Sequence, residues 1–428
     1  MTTELSAYDG EHFPAADGPS FHSLGRFDHP ADYAASFQNE LDPARIAPRS
    51  RPMRTVARQA TSRHPLRAQS VRTPWAGYWW PMSEGELALG WDDGRGRRRL
   101  TPDEARHYDQ MLVSPTAHGR AVVQALQARQ GRELSPLLKF DLWSRALLER
   151  LNPTDEVPWP LVSRSARWDL THHYVSGPGH KHHRAASYAG KCFGWAMSTF
   201  DWDEPVHERL IDGIAFTPAD IKGLLASLYN GAQFFVPDAS FVGNTFRDEP
   251  GHDSQAFYDD VRPDDFVRGL FATVGRGLML EADLDPGPDV WNHPIHRYEL
   301  TAGPIVDGRV TVRCVIGFAD DDVPIDGVFS RVPGRPDLKE RVLDFELTLP
   351  SESTNLEDAV SGRWLGESIH THPDTLVLGL EPDWRQEILN YRDTAMRGEF
   401  NFSLVKRVRV GREWTSLIDV LLARYYQG

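Results

Sequence analysis

The hydrophobic period of this chain changes partway along it. Leu137, Leu138, Phe140, Leu142, Trp143, Leu147, Leu148 and Leu151 recur at helical spacing. Farther on, Val310, Val312, Cys314 and Ile316 alternate along the chain, as do Leu343, Phe345, Leu347 and Leu349. The first spacing puts apolar side chains on one face of a helix, the second on one face of a strand. Helices first and strands later argue for an α+β fold, with a helix-rich first half and an antiparallel sheet in the second half. Thr101-Pro102-Asp103-Glu104 and Thr217-Pro218-Ala219-Asp220 read as helix starts, each with a hydroxyl cap, a proline in the first turn and an acid three residues after the cap. The first helical stretch should break near Pro115 and run to about Gly131. The Leu137 helix should end at Asn152-Pro153, the Pro218 helix should stop at Gly231, and a last helix should cover Trp414 to Tyr426.

A chain of 428 residues has room for two or three domain-sized units or one elaborated core. Residues 1–72 carry little periodicity and are expected to form a largely disordered or loosely docked arm. Residues 73–330 are expected to be the core, and 331–428 a strand-rich extension packed on it. The formal charge of −14 repels phosphate backbones and sets nucleic acid aside as a partner. From Arg45 to Arg72 there are eight Arg and no Asp or Glu, which reads as a solvated basic linker or, alternatively, an arm that docks on an acidic surface. No signal-like segment and no run of 18 apolar residues is seen, so no membrane is expected and the cytoplasm is the expected compartment.

The two cysteines, too few for a disulfide framework, read differently. Cys314 shares a strand face with Val310, Val312 and Ile316 and reads as a small buried hydrophobe. Cys192 lies in Gly190-Lys191-Cys192-Phe193-Gly194-Trp195, where Gly190 permits a turn and a helix follows. A thiol in the first turn of a helix meets unsatisfied N–H groups and the positive end of the dipole, which lowers its pKa. The same N–H groups suit an oxyanion. Lys191 would add positive charge, and Gly194 would leave room for a substrate. A core cysteine on a buried helix is the alternative, and spacing alone leaves both open. Just upstream, His172, His173, His180, His182 and His183 surround Gly177-Pro178-Gly179 in no trusted zinc spacing. They read as a solvated loop over the face that holds Cys192, with delivery of a base or binding of a metal as alternatives. Asp320-Asp321-Asp322 reads as a solvated turn.

Several stretches together resemble the transglutaminase-elicitor family: Tyr188 to Ala196, Glu204-Pro205, Asp220 to Leu225, Phe241-Val242-Gly243, and Asp289 to Ile295 with Tyr298. The aromatic cluster Trp75 to Pro81 and the later Gly362 to Ser368 and His372-Pro373-Asp374 are similar to that family as well. The resemblance implies a papain-like, transglutaminase-like catalytic core with Cys192 as nucleophile and Asp283 orienting the base. It implies that Gly190, Lys191, Gly194, Trp195, Trp291 and Asn292 line the substrate groove. Where the family carries its His after a Phe, this chain has Val267 after Phe266, and valine moves no proton. His293, beside Trp291-Asn292, is the first substitute, with His252 and His207 behind it.

The activity this implies is a transglutaminase-like cysteine acyltransferase. It would form an amide through a Cys192 acyl thioester, from a glutamine-type amide or a carrier-bound thioester and an amine acceptor, in a biosynthetic setting. No cofactor and no metal is called for. Hydrolysis by the same arrangement is a weaker option. The alternative is a catalytically degenerate pseudoenzyme whose groove serves as a binding or scaffold module.

Overall fold

The computed structural model describes residues 58–151, 162–173, 189–236, 240–243, 260–285, 290–380, 384, 400–410 and 412–427. The helical half begins with the short α1 (Glu86–Leu89), α2 (Pro102–Val113) and α3 (Ala117–Ala128). It continues with α4 (Pro136–Leu151), α5 (Ser165–His172), α6 (Cys192–Asp201) and α7 (Pro218–Asn230). Thr101 and Thr217 each close a reciprocal capping box, with Glu104 and Asp220, which satisfies backbone donors that a helix start leaves open. The proline at 115 separates α2 from α3, as its spacing predicts. α7 ends at Gly231 with φ −75°, and the chain runs on as a 3₁₀ turn, Gly231–Phe235. The helix thus stops where the sequence reading placed its end, with Gly231 outside the left-handed region.

α6 and α7 pack at the centre of the helical half. Their close approach depends on Gly194, where an added Cβ would fall 2.0 Å from the Ala226 carbonyl oxygen. Asp220, fully buried at the start of α7, pairs with Arg97 and with Lys139, the latter at 2.6 Å. A buried charge of this kind is tolerated only when paired.

The second half is built on an eight-stranded antiparallel sheet. Its strands are β2 (Arg67–Gln69), β5 (Phe241–Gly243), β6 (Leu280–Asp283), β7 (Asn292–Ala302), β9 (Arg309–Ala319), β10 (Leu338–Thr348), β11 (Ser361–Trp364) and β12 (Thr375–Val377). The order is β11-β10-β9-β7-β6-β12-β5, with β2 added on β7. Small pairs complete the set: β1 (Arg58–Gln59) with β8 (Pro304–Ile305), β3 (Arg209–Ile211) with β4 (Ile214–Phe216), and β13 (Arg407–Val410) with β14 (Glu413–Ser416). The alternation of β9 and β10 is realised: Val310, Val312, Cys314, Ile316, Leu343, Phe345 and Leu347 are all buried. They meet α8 (Pro263–Ala272) in a second apolar core, distinct from the one around the helices. The tail forms α9 (Leu417–Gln427), which starts later than the expected Trp414 because Trp414–Ser416 pair with β13 as strand.

Two boundaries differ from the sequence reading. Within the expected arm, Arg58–Gln59 and Arg67–Gln69 are paired strands, the latter in the main sheet; residues 1–57 lie outside the described residues. Beyond 331, β10 and β12 are interior strands of the same sheet rather than an extension packed on a core. β9 and β10 pair along eleven residues each, so a cut at 330 would part hydrogen-bonded neighbours.

β7 positions the site. One edge of it is shared: Asn292–Ile295 pairs with β6, and Arg297–Glu299 pairs with β2. On the β9 side the register jumps between Ile295 and Arg297, leaving His296 as an extra residue. Such a bulge bends and twists a strand, here just past the segment that faces Cys192. Among the described residues, no helix is long and apolar enough to cross a membrane.

Candidate active site

Cys192 opens α6, with Lys191 as the preceding cap residue. The turn before it is gripped by the aromatic segment: the Lys191 N–H donates to the Trp79 carbonyl at 2.7 Å, and the Met82 N–H donates to the Ala189 carbonyl at 2.9 Å. The Gly77 N–H reaches the Asp320 carbonyl at 3.2 Å. The Trp75 to Pro81 stretch thus ties the Cys192 turn to the loop after β9. The bare face of Gly190 is required for this grip, since an added Cβ would sit 2.5 Å from the Trp79 ring. Trp79 meets Trp291 edge-on at 5.2 Å between ring centres, and both are half-buried.

The thiol faces the start of β7. The Asn292 side-chain amide donates to Cys192 Sγ at 3.6 Å, and Sγ lies 3.6 Å from the Val290 carbonyl oxygen. Only 4% of Cys192 is exposed. Burial pushes the thiol up to about 12; the Asn292 donors oppose this, and the negative charge of Asp321 and Asp283 adds to it. The sequence argument expected the opposite direction. Loss of solvation outweighs the helix dipole here, and the cation counted on is turned away. Lys191 Nζ is buried on Asp169 at 2.6 Å, with His173 Nδ1 at 3.3 Å. Burial and the Lys191 charge in turn hold the His173 imidazole down at about 4.

Asp283 ends β6 as the register partner of Asn292. Its Oδ1 accepts the Trp291 and Asp285 main-chain N–H groups at 2.9 and 3.1 Å, while the buried Oδ2 has no hydrogen-bond partner. Burial raises the carboxyl to about 7, against the pull of those two N–H groups. Glu281, two residues back and on the same strand face, is wholly buried with neither oxygen bonded. It is held well above the usual carboxylate range by burial and by Asp283.

His293 is buried beside this corner. Its Nδ1 lies 3.0 Å from the Ala319 carbonyl; a carbonyl only accepts, so this partner assigns the ring proton to Nδ1 and leaves Nε2 to face Asp321 Oδ1 at 3.8 Å. The ring is walled by Trp195 and Phe318. His293 is not among the hydrogen-bond partners of Cys192 Sγ. Asp321, read from sequence as part of a solvated turn, is buried and its carboxyl is raised by burial. Its neighbours Asp320 and Asp322 are half-buried and exposed, and nothing in three consecutive acids says which one turns inward.

The remaining expected residues separate. Gly194 meets the backbone of α7 instead of open space. Trp195 is wholly buried, its Nε1 donating to the Trp75 carbonyl at 3.2 Å. Val267, matched to the family's His, points into the second apolar core. His207 lines a cleft of about 400 Å³ with Trp75, Glu204 and Tyr425, and His172 stacks on Trp168. His180, His182, His183 and His252 lie outside the described residues. Brought together are Cys192, Asn292, Asp283, His293 and, unforeseen, Asp321. Such a set has the pieces of acyl transfer: a sulfur nucleophile, an amide donor beside it, and buried carboxyl and imidazole groups to move a proton.

Residues 178–313 match the family model described as transglutaminase elicitor. Among solved structures, the chain is similar to the GP42 transglutaminase from Phytophthora sojae, with 16% sequence identity over 75% of this chain and 85% of that one and a TM-score of 0.45. No curated protein matches the sequence.

Proposed function

We propose that the chain is a transglutaminase-like cysteine acyltransferase, with a papain-like division of labour around Cys192. The observation that carries this reading is the Asn292 amide on Cys192 Sγ at the first turn of α6, with Asp283 paired across from Asn292. The family match over residues 178–313 supports the same kind of protein.

In this reading, Asp283 takes the thiol proton as the sulfur attacks an acyl carbonyl. A carboxyl held near 7 is matched to that task at neutral pH. The oxyanion rests on the Asn292 amide and the N–H groups that open α6. The leaving group, ammonia from a glutamine-type amide or a thiolate from a carrier-bound thioester, departs with the proton from Asp283. An amine then attacks the Cys192 thioester, Asp283 accepts its proton, and an amide leaves as the thiol is restored. His293, with Nε2 3.8 Å from Asp321 Oδ1, stands in for the imidazole that the family motif would carry at Val267. Trp79 and Trp291 wall the approach, which favours an amine over water. The setting is a biosynthetic pathway in the cytoplasm, with neither nucleic acid nor membrane as a partner.

One observation favours the other reading, a pseudoenzyme used as a binding or scaffold module: the sulfur is 4% exposed and its thiol is raised to about 12. The test is intact mass after incubation with a glutamine peptide and, separately, with an acyl thioester of N-acetylcysteamine. Acyltransfer gives an adduct that maps to Cys192 and is discharged by a primary amine. A scaffold gives none, and iodoacetamide then labels Cys192 as slowly as Cys314.

A further inference from the structure

Glu281 is a wholly buried acid of β6 that the acyl transfer above leaves unused. We propose that it is a positioning residue for Asp283: a buried carboxylic acid whose O–H turns to Asp283 Oδ2 when Asp283 is charged. This deepens the reading of Asp283 as the group that takes the thiol proton, and rests on it.

Alternation along β6 puts Glu281 and Asp283 on one face, about 6.5–7 Å apart along the strand. That face meets α6, since Asp283 pairs with Asn292, whose amide reaches Cys192 Sγ. Across from Glu281 stand Pro294 of β7 and Val377 of β12, whose side chains donate nothing to a carboxyl. α6, which packs on β6 and β7, has no charged side chain from Cys192 to Phe200. Neither Glu281 oxygen has a hydrogen-bond partner. Asp283 is better served. Its Oδ1 accepts the Trp291 and Asp285 N–H groups at 2.9 and 3.1 Å. The charge of Arg341, whose guanidinium donates to the Leu284 and Thr371 carbonyls, favours its carboxylate, and the charge of Asp285 opposes it.

Two carboxylates this close in a dry place do not both ionise. The proton stays where nothing stabilises the anion, and that is Glu281. A buried O–H then lacks an acceptor, while the buried Oδ2 of Asp283 lacks a donor. Each supplies what the other lacks. A rotation of the longer Glu281 side chain between staggered forms closes the gap. Once Asp283 is an anion the bond is charge-assisted, about twice as strong as a neutral one. Glu281 so lets Asp283 ionise near neutral pH without adding a second negative charge beside Cys192.

The test is infrared difference spectroscopy of the full chain, wild type minus Glu281→Gln, from about pH 5 to about pH 9. The carbonyl band of protonated Glu281 should persist over the whole range. It should move to lower frequency as Asp283 ionises through about 7, and Asp283→Asn should hold it still. No acid band above neutral pH, or a band that does not move, overturns the proposal, and neither readout needs acyl transfer. In turnover, Glu281→Leu should shift the ascending pH limb up by about one to two units, a loss of about 10–100-fold at neutral pH that is regained at higher pH. Glu281→Gln keeps a neutral donor and should shift the limb less. The urea midpoint of Glu281→Leu should be no lower than that of the wild type, because hydrocarbon replaces an unpartnered carboxyl. A limb that stays in place in Glu281→Leu would make Glu281 a structural residue only and overturn its positioning role. A moving infrared band in a chain without turnover would keep the contact and sink the acyl-transfer reading instead.

Discussion

The two thiols of this chain are equally hidden and differently kept. Cys314 sits on β9 between Leu300 and Leu343, wholly buried, and burial alone drives its thiol far up. Cys192 is nearly as buried, yet its thiol is raised against the resistance of Asn292 and with help from Asp321 and Asp283. At neutral pH neither is a thiolate. What separates them is the company. A structural thiol needs only hydrocarbon around it, whereas the Cys192 corner holds Asp283 and Asp321, each with a buried oxygen that has no hydrogen-bond partner. Each such atom costs about 1–3 kcal/mol. Packing gives no reason to keep that cost, whereas the proposed acyl transfer would. Reactivity at Cys192 would then come from a base poised beside a neutral thiol, not from a resting thiolate.

The sharpest break of this comparison is removal of each sulfur in turn. Cys192→Ala should abolish the acyl adduct in intact mass and all turnover, while Cys314→Ala should keep both. An adduct that persists without Cys192 would make the polar corner irrelevant. Next in size is Asp283→Asn. If Asp283 takes the proton, turnover should fall by about 10²–10⁴-fold. The wild-type rate should rise with pH through about 7, and the variant should lose that limb.

Stability should move the other way. A carboxyl raised from 3.8 to about 7 binds its proton in the folded state over a range where the unfolded chain has lost it. Its stabilising contribution is therefore full below about 4 and is lost as pH rises through 7, a change of about 4 kcal/mol. Asp283→Asn removes that slope. Its melting temperature should fall less than the wild type's between pH 5 and pH 8, and equal falls would mean that Asp283 is not held neutral.

Third comes Val267→His, which tests how much of the site was legible in the sequence. The helices and long strands were legible because their signals are local: the Thr101 and Thr217 boxes close as written, and β9 and β10 bury the face their alternation marks. Direction was not. Lys191 precedes the thiol in sequence and turns to Asp169; Asp321 turns inward between two acids that do not. Motif order matched Val267 to a catalytic His, yet it lies on the face of α8 that packs under the sheet, with Phe266 and Leu270 in the same core. A histidine there would restore no base. It would bury an imidazole in hydrocarbon, and the urea midpoint should drop by an amount worth about 2–4 kcal/mol, with no gain in turnover. A gain would return the missing His to position 267 and dismiss His293 and Asp283 from its work.

The smallest expected effect is on the stability of Cys314→Ala, and it fixes the baseline for the rest. The side chain fills space between β9 and α8 with no hydrogen-bond donor or acceptor to replace, so the loss is contact and a small void. That is about 1 kcal/mol by the cost of small deletions in well-packed cores, read as a shift in urea midpoint without a change in slope. Cys192→Ala removes the same atom from a place where it meets the Asn292 amide and charges repelled by a thiolate. Its loss should cost no more than that of Cys314, and replacement by the smaller, uncharged side chain should cost less as pH approaches the thiol's own range. A Cys192 change markedly more destabilising than the Cys314 change would show that the first sulfur is held for packing after all, and the contrast between the two would vanish.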